Sequence, residues 1–258
     1  MKSAIIIPVR YGSTRFPGKP LVQIKGRSAL QRVWSLCCSV SGVDRVIIAT
    51  DDERIAELAA SIGALSVMTS ESCRNGSERV FEAACAMEDP PQLVINVQGD
   101  AVLTPPWIIQ QLAEFMQGNP ACQMGTVAVR LSDQEYSRAR ESAAGTSGVF
   151  VTIDSCGRAL YFSRALIPHW RDGQGERPAT YKHVGIYAYR FETLKRYVSL
   201  EPGVLEEVEK LEQLRALENG IPVTVVISDR RGRTLCSVDR PEDARRAAEI
   251  IDREGELI

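Results

Sequence analysis

The sequence predicts an α/β fold: a Rossmann-like, doubly wound and mostly parallel sheet with helices on both faces, carrying an inserted mixed β layer. Two observations predict this class. Residues 1–117 alternate about four times between short apolar runs and stretches with helical spacing. The first run, residues 5–7, has no polar residue, which is typical of a strand buried on both faces. Beyond residue 120 the alternation is lost, so we predict the inserted layer there, within one continuous domain of residues 1–258.

The individual elements follow from hydrophobic spacing and from signals at their ends. The run 43–50 is followed by Asp51-Asp52-Glu53, whose carboxylates favour the start of a helix over 54–62, and Gly63 is well placed to end that helix. We predict further strands at 66–69, 93–97, 125–130, 149–154, 159–162, 183–189 and 223–227. We predict further helices at 28–40, 76–88, 105–117, 192–198, 206–219 and 241–254.

Composition and charge exclude several classes of function. The chain has 258 residues, of which 44% are hydrophobic and 25% charged, which suits one large α/β domain. A net charge of −2 provides no general attraction to nucleic acid. No apolar run is long enough for membrane insertion, and the residues before Pro8 are too few for a signal peptide. Seven cysteines without a C-x-x-C pair indicate reduced thiols, so we expect a cytoplasmic protein.

The loop after the first strand carries the strongest chemical signal. It places three cations, Arg10, Arg15 and Lys19, within ten residues, together with Gly12 and Gly18, which allow backbone N–H groups to approach a ligand. This composition favours a polyphosphate cradle over the alternative of a basic surface loop. The loop is not a Walker A motif, because five residues separate the glycines and a proline follows the lysine. The hydroxyl that would hold magnesium is therefore missing, and the metal must be bound elsewhere.

Two aspartates are candidates for holding that metal. Asp100 follows the strand at 93–97 and should lie at the same sheet edge as the phosphate loop, because ligands of such sheets bind at the carboxyl ends of the strands. A carboxylate there suits Mg²⁺ that bridges phosphate oxygens, although it could instead cap the next helix. Asp239 precedes the helix at 241–254 and could be an ordinary N-cap. Since magnesium at Asp100 needs a second carboxylate, we predict Mg²⁺ held by both aspartates.

The turn at residues 75–79 is a weaker candidate. Asn75 and Gly76 open a helix with Arg79 one turn further on, and a helix N-terminus can bind an anion or a base. Gln98 could contact a base or a ribose, although its spacing alone is weak support.

Three polar residues of the second half have two interpretations each. His183 lies on an alternating strand, where it is either a hydrogen-bonded structural residue or a ligand contact. Glu212 and Gln213 fall within the helix predicted at 206–219, where polar surface is the default interpretation.

Taken together, eight segments resemble the 3-deoxy-manno-octulosonate cytidylyltransferases, also called CMP-Kdo synthetases. They span residues 7–21, 49–52, 75–79, 95–100, 159–165, 183–189, 211–215 and 238–243, in family order over nearly the whole chain. The resemblance implies a fold of the nucleotide-diphospho-sugar transferase type and transfer of CMP from CTP to an eight-carbon acid sugar, with release of pyrophosphate, for lipopolysaccharide synthesis. It also implies a homodimer, with a nucleotide-binding half at 1–120 and an acceptor-binding and dimer-contact half at 121–258.

The resemblance also implies roles for individual residues. The nucleotide would contact Arg10, Gly12, Ser13, Arg15, Lys19, Asn75, Gly76, Arg79, Gln98 and Asp100. The acceptor would contact Arg164, His183, Tyr187, Glu212 and Gln213. Catalysis would depend on Arg10, Lys19, Asp100 and Asp239, with magnesium on the two aspartates.

Four positions depart from the family pattern. Cys73 stands where the family usually has His, Ala101 where it has Glu, Phe150 where it has Lys, and Arg240 where it has Thr. We expect these departures to lie at or beside the acceptor, with Phe150 close to His183. The acceptor is therefore left open between 3-deoxy-manno-octulosonate, its 8-amino relative and a small phosphonate. A glycosyltransferase of the same fold is disfavoured because the D-x-D motif is missing, and a CTP sensor without turnover is disfavoured because the cations and both aspartates are present.

Overall fold

The computed structural model describes residues 1–12, 15–141, 148–171 and 176–258, and within them it confirms the α/β class. The strands are β1 (Ser3–Val9), β2 (Gln23–Ile24), β3 (Arg27–Ser28), β4 (Arg45–Thr50), β5 (Leu65–Met68), β6 (Leu93–Val97), β7 (Met124–Arg130), β8 (Phe150–Ile153), β9 (Ala159–Ser163), β10 (Tyr181–Arg190) and β11 (Val223–Ser228). The helices are α1 (Ala29–Cys38), α2 (Glu53–Ser61), α3 (Gly76–Cys85), α4 (Pro106–Gly118), α5 (Asp133–Glu141), α6 (Phe191–Val198), α7 (Val204–Glu209), α8 (Leu214–Glu218) and α9 (Pro241–Glu254).

One sheet, nine-stranded within the described residues, connects the two halves of the chain. Its order is β11-β7-β10-β6-β1-β4-β5, with β8 paired to the start of β10 and β9 paired to β8. Strands β1, β4, β5 and β6 are mutually parallel, as are β7 and β11, whereas β10 runs antiparallel to both of its neighbours. The predicted mostly parallel sheet is thus confirmed. The β8–β9 hairpin of the inserted region extends this sheet at the start of β10.

The core lies on both faces of the sheet, as the uninterrupted apolar strands predict. All seven residues of β1 are buried, and they alternate between two apolar clusters. Helices α1, α2, α4 and α9 contribute to the cluster on one face, and α3, α6 and α8 contribute to the cluster on the other. Three-layer packing of this kind leaves the carboxyl edge of the parallel strands free to carry a site. In the part of the chain that the structure describes, no helix combines the length and the apolar character needed to cross a bilayer.

Two helical predictions need correction. The helix predicted at 206–219 is split into α7 and α8, because Lys210 adopts a left-handed conformation with φ of 54° and ends α7. Glu212 and Gln213 therefore lie in the connection between two helices, and Gln213 is buried. Helix α5 was not predicted, since Tyr136 is its one buried residue and its sequence has no apolar stripe.

Candidate active site

A cavity of about 370 Å³ lies at the carboxyl ends of β1 and β6, where the sequence predicts the site. We refer to it as the loop cavity, because the phosphate loop forms one of its walls. Gly12 is exposed and does not line it, and Ser13 lies outside the described residues. Of the predicted nucleotide and metal residues, the cavity brings together Arg10, Arg15, Lys19, Asn75, Gly76, Arg79, Gln98, Asp100 and Asp239.

Lys19 joins the two predicted metal carboxylates. Its Nζ lies 2.6 Å from Oδ2 of Asp100 and 3.3 Å from Oδ1 of Asp239. Arg15 donates a further hydrogen bond to the same Oδ1 of Asp239, at 3.0 Å. Arg10 lines the cavity without a carboxylate partner among the described residues. Three cations thus converge on two carboxylates, an arrangement that can receive additional negative charge.

Backbone contacts bring Asp239 to the end of β6. The N–H of Val238 donates to the carbonyl oxygen of Asp100 at 2.9 Å, which fixes the two segments side by side. The side chain of Asp243, in the first turn of α9, accepts from the N–H of Asp239 at 3.0 Å and from that of Arg240 at 2.8 Å. Because Asp243 provides the cap of α9, the carboxylate of Asp239 remains free to face the cavity.

Glycine at two positions permits the close approach of the cavity walls. A Cβ on Gly99 would lie 2.8 Å from Cγ2 of Val9 and 3.1 Å from the carbonyl oxygen of Pro8. A Cβ on Gly76 would lie 3.3 Å from both the Gln98 side chain and the Pro8 ring. The turn before Asp100 and the start of α3 therefore pack directly against the end of β1.

Arg79 lines the loop cavity, but its guanidinium is held by protein groups. It hydrogen-bonds to Oγ1 of Thr69 and to Oδ2 of Asp51, both at 2.5 Å, and its side chain is buried. Asn75 caps α3 by accepting from the N–H of Glu78 at 2.9 Å. The first turn of α3 is therefore rigidly attached to the sheet edge, with its N-terminus at the cavity.

Cys73 also lines the cavity, at the position where the resemblance predicts His. Its Sγ donates to Oε2 of Glu82 at 3.1 Å, and burial together with this carboxylate raises the pKa of the Cys73 thiol to about 11. The thiol is therefore protonated at neutral pH and is not a nucleophile. Ala101, Phe150 and Arg240, the other departures, do not line the loop cavity.

Four of the predicted acceptor residues lie in a polar cluster beneath the loop cavity, where His183, Tyr187 and Gln213 are buried and Glu212 is half-buried. Oε1 of Glu212 accepts from Oγ of Ser77 at 3.2 Å, directly beside the cavity wall at Gly76. Tyr187 pairs across the sheet with Asn96, whose Oδ1 accepts from the cavity residue Gln98 at 3.2 Å. The cluster thus adjoins the loop cavity through the Ser77–Glu212 hydrogen bond and through the pairing of Tyr187 with Asn96.

Burial favours the neutral forms of the ionisable groups of this cluster. It raises the pKa of Glu212 to about 7 and, together with the charge of that carboxylate, raises the pKa of Tyr187 well above its usual value. Burial also lowers the pKa of His183 to about 3. The hydroxyl of Thr126 donates to the carbonyl oxygen of Ile186 at 2.7 Å, so it must accept from Nε2 of His183, 2.9 Å away. His183 is thus a neutral imidazole with its proton on Nε2.

Arg164 and Phe150 lie apart from this cluster. The exposed Arg164 donates to the carbonyl oxygens of Glu209 at 2.7 Å and Lys210 at 3.2 Å, so it braces the segment that leads to Glu212. Phe150 pairs in register with Lys182, and paired residues share one face of a sheet, whereas the next residue, His183, points to the other face. The expectation that Phe150 adjoins the acceptor beside His183 is therefore wrong.

Sequence reasoning missed Asn96, which also contacts the cluster. Asn96 is fully buried, and its Nδ2 has no hydrogen-bond partner in the described structure; Nε2 of Gln213 is orphaned in the same way. Buried donors without partners are rare in proteins, so these two amides are candidates for binding a polar ligand. An Asn in the otherwise apolar run Leu-Val-Ile-Asn-Val was the available signal for this residue.

The donor set fits one hard cation. Among the described residues, no three His, Cys, Asp or Glu side chains converge, so the protein supplies two carboxylates rather than a closed metal cage. Magnesium commonly binds through one or two carboxylates together with substrate phosphates. Asp100 and Asp239, which already flank one cationic group, match that chemistry.

Comparisons with known proteins agree with this geometry. The family model described as cytidylyltransferase matches residues 4–227. The 3-deoxy-manno-octulosonate cytidylyltransferase of Maricaulis maris is 48% identical over the full length of both chains. The chain belongs to the cytidylyltransferase family, in its 3-deoxy-manno-octulosonate branch. The mitochondrial 3-deoxy-manno-octulosonate cytidylyltransferase of Arabidopsis thaliana is 39% identical to the present chain. The match covers 95% of the present chain and 82% of the Arabidopsis protein.

A solved structure extends the similarity to three dimensions. The structure of CMP:2-keto-3-deoxy-manno-octonic acid synthetase complexed with CTP matches this cytidylyltransferase with a TM-score of 0.88 and 34% identity, over 98% of this chain and 100% of the other. A 4-diphosphocytidyl-2C-methyl-D-erythritol synthase from Anaerococcus prevotii matches with a TM-score of 0.61 at 14% identity, which shows the shared fold alone. The chain is thus a nucleotidyltransferase by family and by fold.

Proposed function

We propose that this cytidylyltransferase transfers CMP from CTP to 3-deoxy-manno-octulosonate and releases pyrophosphate. One observation carries the proposal: Lys19, Asp100 and Asp239 meet within hydrogen-bond distance in a cavity whose rim bears Arg10 and Arg15. The relatives at 48% and 39% identity support the choice of acceptor, since both are 3-deoxy-manno-octulosonate cytidylyltransferases.

The phosphate side of the reaction follows from charge. The anomeric hydroxyl of the acceptor attacks the α-phosphorus, the new oxygen–phosphorus bond forms, and the bond to the bridging oxygen breaks as pyrophosphate leaves. Negative charge grows on the leaving group in this step, and fixed cations aimed at it stabilise the transition state. Arg10, Arg15 and Lys19 supply those cations, and the N-terminus of α3 adds backbone N–H groups.

We also propose that Asp100 and Asp239 hold Mg²⁺ in the CTP complex. When bound, the metal would neutralise phosphate charge and lower the pKa of the attacking hydroxyl. Turnover measured against Mg²⁺ concentration tests this proposal. The Asp239→Asn variant should need more Mg²⁺ for half-maximal rate, and the control Asp252→Asn, an exposed residue of α9, should not. Full activity in the presence of excess chelator would contradict it.

The acceptor side is the polar cluster. The amides of Asn96 and Gln213, and Glu212 in its protonated form, suit hydroxyl groups of a sugar, because each can donate and accept hydrogen bonds. If the segment at Glu209 and Lys210 opened, it would admit the acceptor and release the Arg164 guanidinium from their carbonyl oxygens. The guanidinium could then bind the carboxylate of the acceptor through two parallel hydrogen bonds.

Pyrophosphate release with CTP, Mg²⁺ and a panel of acids tests the acceptor. We expect the highest kcat/KM with 3-deoxy-manno-octulosonate. A higher value with the 8-amino relative would reassign the acceptor within the sugar acids. Turnover with a small phosphonate, and with no 2-keto sugar acid, would overturn the assignment while leaving the cytidylyltransferase reaction intact.

We further propose that the protein acts as a cytoplasmic homodimer. Its cysteines are all free thiols in the described structure, as expected for a reducing compartment. Light scattering after size exclusion at micromolar concentration should give about twice the chain mass of 28.4 kDa, and a monomer mass would contradict the dimer.

A further inference from the structure

A second cavity, of about 950 Å³, lies on the opposite face of β10 from His183. Its walls come from α5, the start of β10, the loop after β11, and α9. Leu131, Phe150 and Ile250 form an apolar floor, and all three are buried. Nothing in the transfer reaction uses this space, which we call the α9 cavity.

Cations outnumber carboxylates in the lining of the α9 cavity, where six lysine and arginine residues face Glu135, Asp229 and Glu249. The guanidinium of Arg230 donates to both carboxylate oxygens of Glu135, with Nη2 lying 2.7 Å from Oε2. Burial opposes ionisation, but hydrogen bonds from Arg230 and Ser132 outweigh it and lower the pKa of Glu135 to about 2. Glu135 is therefore ionised at neutral pH and paired with Arg230.

Four of the lining cations, Arg138, Lys182, Arg233 and Arg246, form no ion pair with a carboxylate among the described residues. Lys182, half-buried at the start of β10, makes no ion pair there, and Arg246 of α9 makes none either. Burial lowers the pKa of Lys182, and the nearby charge of Glu135 raises it by less, so the fold only partly compensates this cation for its loss of hydration. An anion beside its ammonium would offset that cost.

We propose that the α9 cavity binds a small phosphate-bearing anion through Lys182 and Arg246, with the body of the ligand against Phe150. The volume falls within the range of small-molecule binding sites. A guanidinium and an ammonium that approach from different elements match the several oxygens of a phosphate group. The apolar floor suits an organic phosphate, whereas a bare ion would leave it unused.

Calorimetric titration with inorganic tripolyphosphate at 0.15 M salt tests the site, since this ionic strength screens weak surface attraction. The starting protein is Arg10→Gln/Arg15→Gln, in which two exposed substitutions weaken the loop cavity without disturbing the core. We expect one equivalent of tripolyphosphate to bind to it. Adding Lys182→Met, which keeps the apolar stem, or Arg246→Gln should weaken that binding about tenfold each, as for lost charge-assisted hydrogen bonds.

The matched control is Arg245→Gln, which removes the neighbouring exposed arginine of α9 from outside the cavity. It should leave the affinity unchanged. The proposal is overturned if the starting protein binds no tripolyphosphate, or if Arg245→Gln weakens binding as much as Arg246→Gln does. The exposed Arg246 variant keeps the test valid even if Lys182→Met reduces folding.

Discussion

The ammonium group of Lys19 lies 2.6 Å from a carboxylate oxygen of Asp100, although 81 residues separate them in the chain. Asp100 lies in the turn after the strand β6 and Lys19 lies in the loop after β1, and these two strands are parallel neighbours. The topology of the sheet therefore brings Lys19 and Asp100 together, and the attraction of their charges then stabilises the contact. The same arrangement places the predicted phosphate-binding cations and the predicted metal carboxylates at one sheet edge.

Loss of this contact should reduce the rate strongly. We predict that Lys19→Met lowers kcat/KM by roughly two to three orders of magnitude, the loss typical of removing one group that stabilises charge in a transition state. Pyrophosphate release measures the effect. Lys195→Met, at an exposed position of α6, is the control and should retain normal turnover. Normal turnover of Lys19→Met would remove Lys19 from the reaction.

Arg79 allows a test that separates packing from ligand binding. Arg79→Met should destabilise the fold by about 3 kcal/mol, because the partly buried Asp51 loses its partner. Arg79→Met/Asp51→Leu should recover most of that loss, since both charges are then removed. Urea unfolding measures the free energies.

The same pair of variants tests whether Arg79 also contacts the nucleotide. Thr69 and Asp51 already occupy its guanidinium, so we expect the KM for CTP of the double variant to stay near normal. A clearly raised KM in a double variant of normal stability would instead support the direct contact that the family resemblance implies.

Gly99 should tolerate no side chain. In Gly99→Ala the new Cβ would lie 2.8 Å from Val9, and the turn that carries Asp100 must move away from β1. We predict a loss of about 1–3 kcal/mol in unfolding free energy, as for overpacking, together with lower turnover. Gly185→Ala is the matched control, since nothing lies within 4 Å of a Cβ there. Equal effects of the two substitutions would contradict the close approach as the cause.

Gln213 should matter to the acceptor and not to the fold. Its Nε2 is buried without a partner, so Gln213→Leu removes an unsatisfied donor and should leave the unfolding free energy within about 1 kcal/mol of the original or raise it. The KM for the acceptor should rise about tenfold, as for one lost hydrogen bond, while the KM for CTP stays constant as an internal control. A large loss of stability would show that Gln213 is a structural residue.

Local signals predicted the parallel half of this fold well. The buried strands β1, β4 and β6 are apolar throughout or nearly so, and Asp52 and Asn75 cap the helices that follow two of the sheet segments. The failures had no local signal. Lys210 ends α7 in a left-handed conformation that glycine usually adopts. Because the residue is a lysine, the sequence gives no signal that the helix ends there.

The site was predictable where cations cluster in sequence and less so where partners are distant. Arg10, Arg15 and Lys19 fall within one loop, so their common location was evident from spacing. The meeting of Asp239 with Asp100 depends on a backbone hydrogen bond from Val238, which no spacing reveals, and it was predicted from the need for a second carboxylate and from family resemblance. Arg164 could not be placed, because its partners in the structure are main-chain carbonyl oxygens.

Glu212 should make stability depend on pH in a defined window. Burial raises its pKa from 4.5 to about 7, so between these values the folded state binds a proton that the unfolded state has released. This contribution is fully present below about pH 4.5 and is lost as pH rises through about 7, on the order of 3 kcal/mol in all. Glu212→Gln abolishes this titration. The unfolding free energy of the variant should therefore increase relative to that of the original protein as the pH rises from about 4.5 to about 7. Glu207→Gln, an exposed control on α7, should show no such gain. Urea unfolding at pH 5, 6, 7 and 8 measures the difference, and a constant difference across the series would show that Glu212 is not buried in its neutral form.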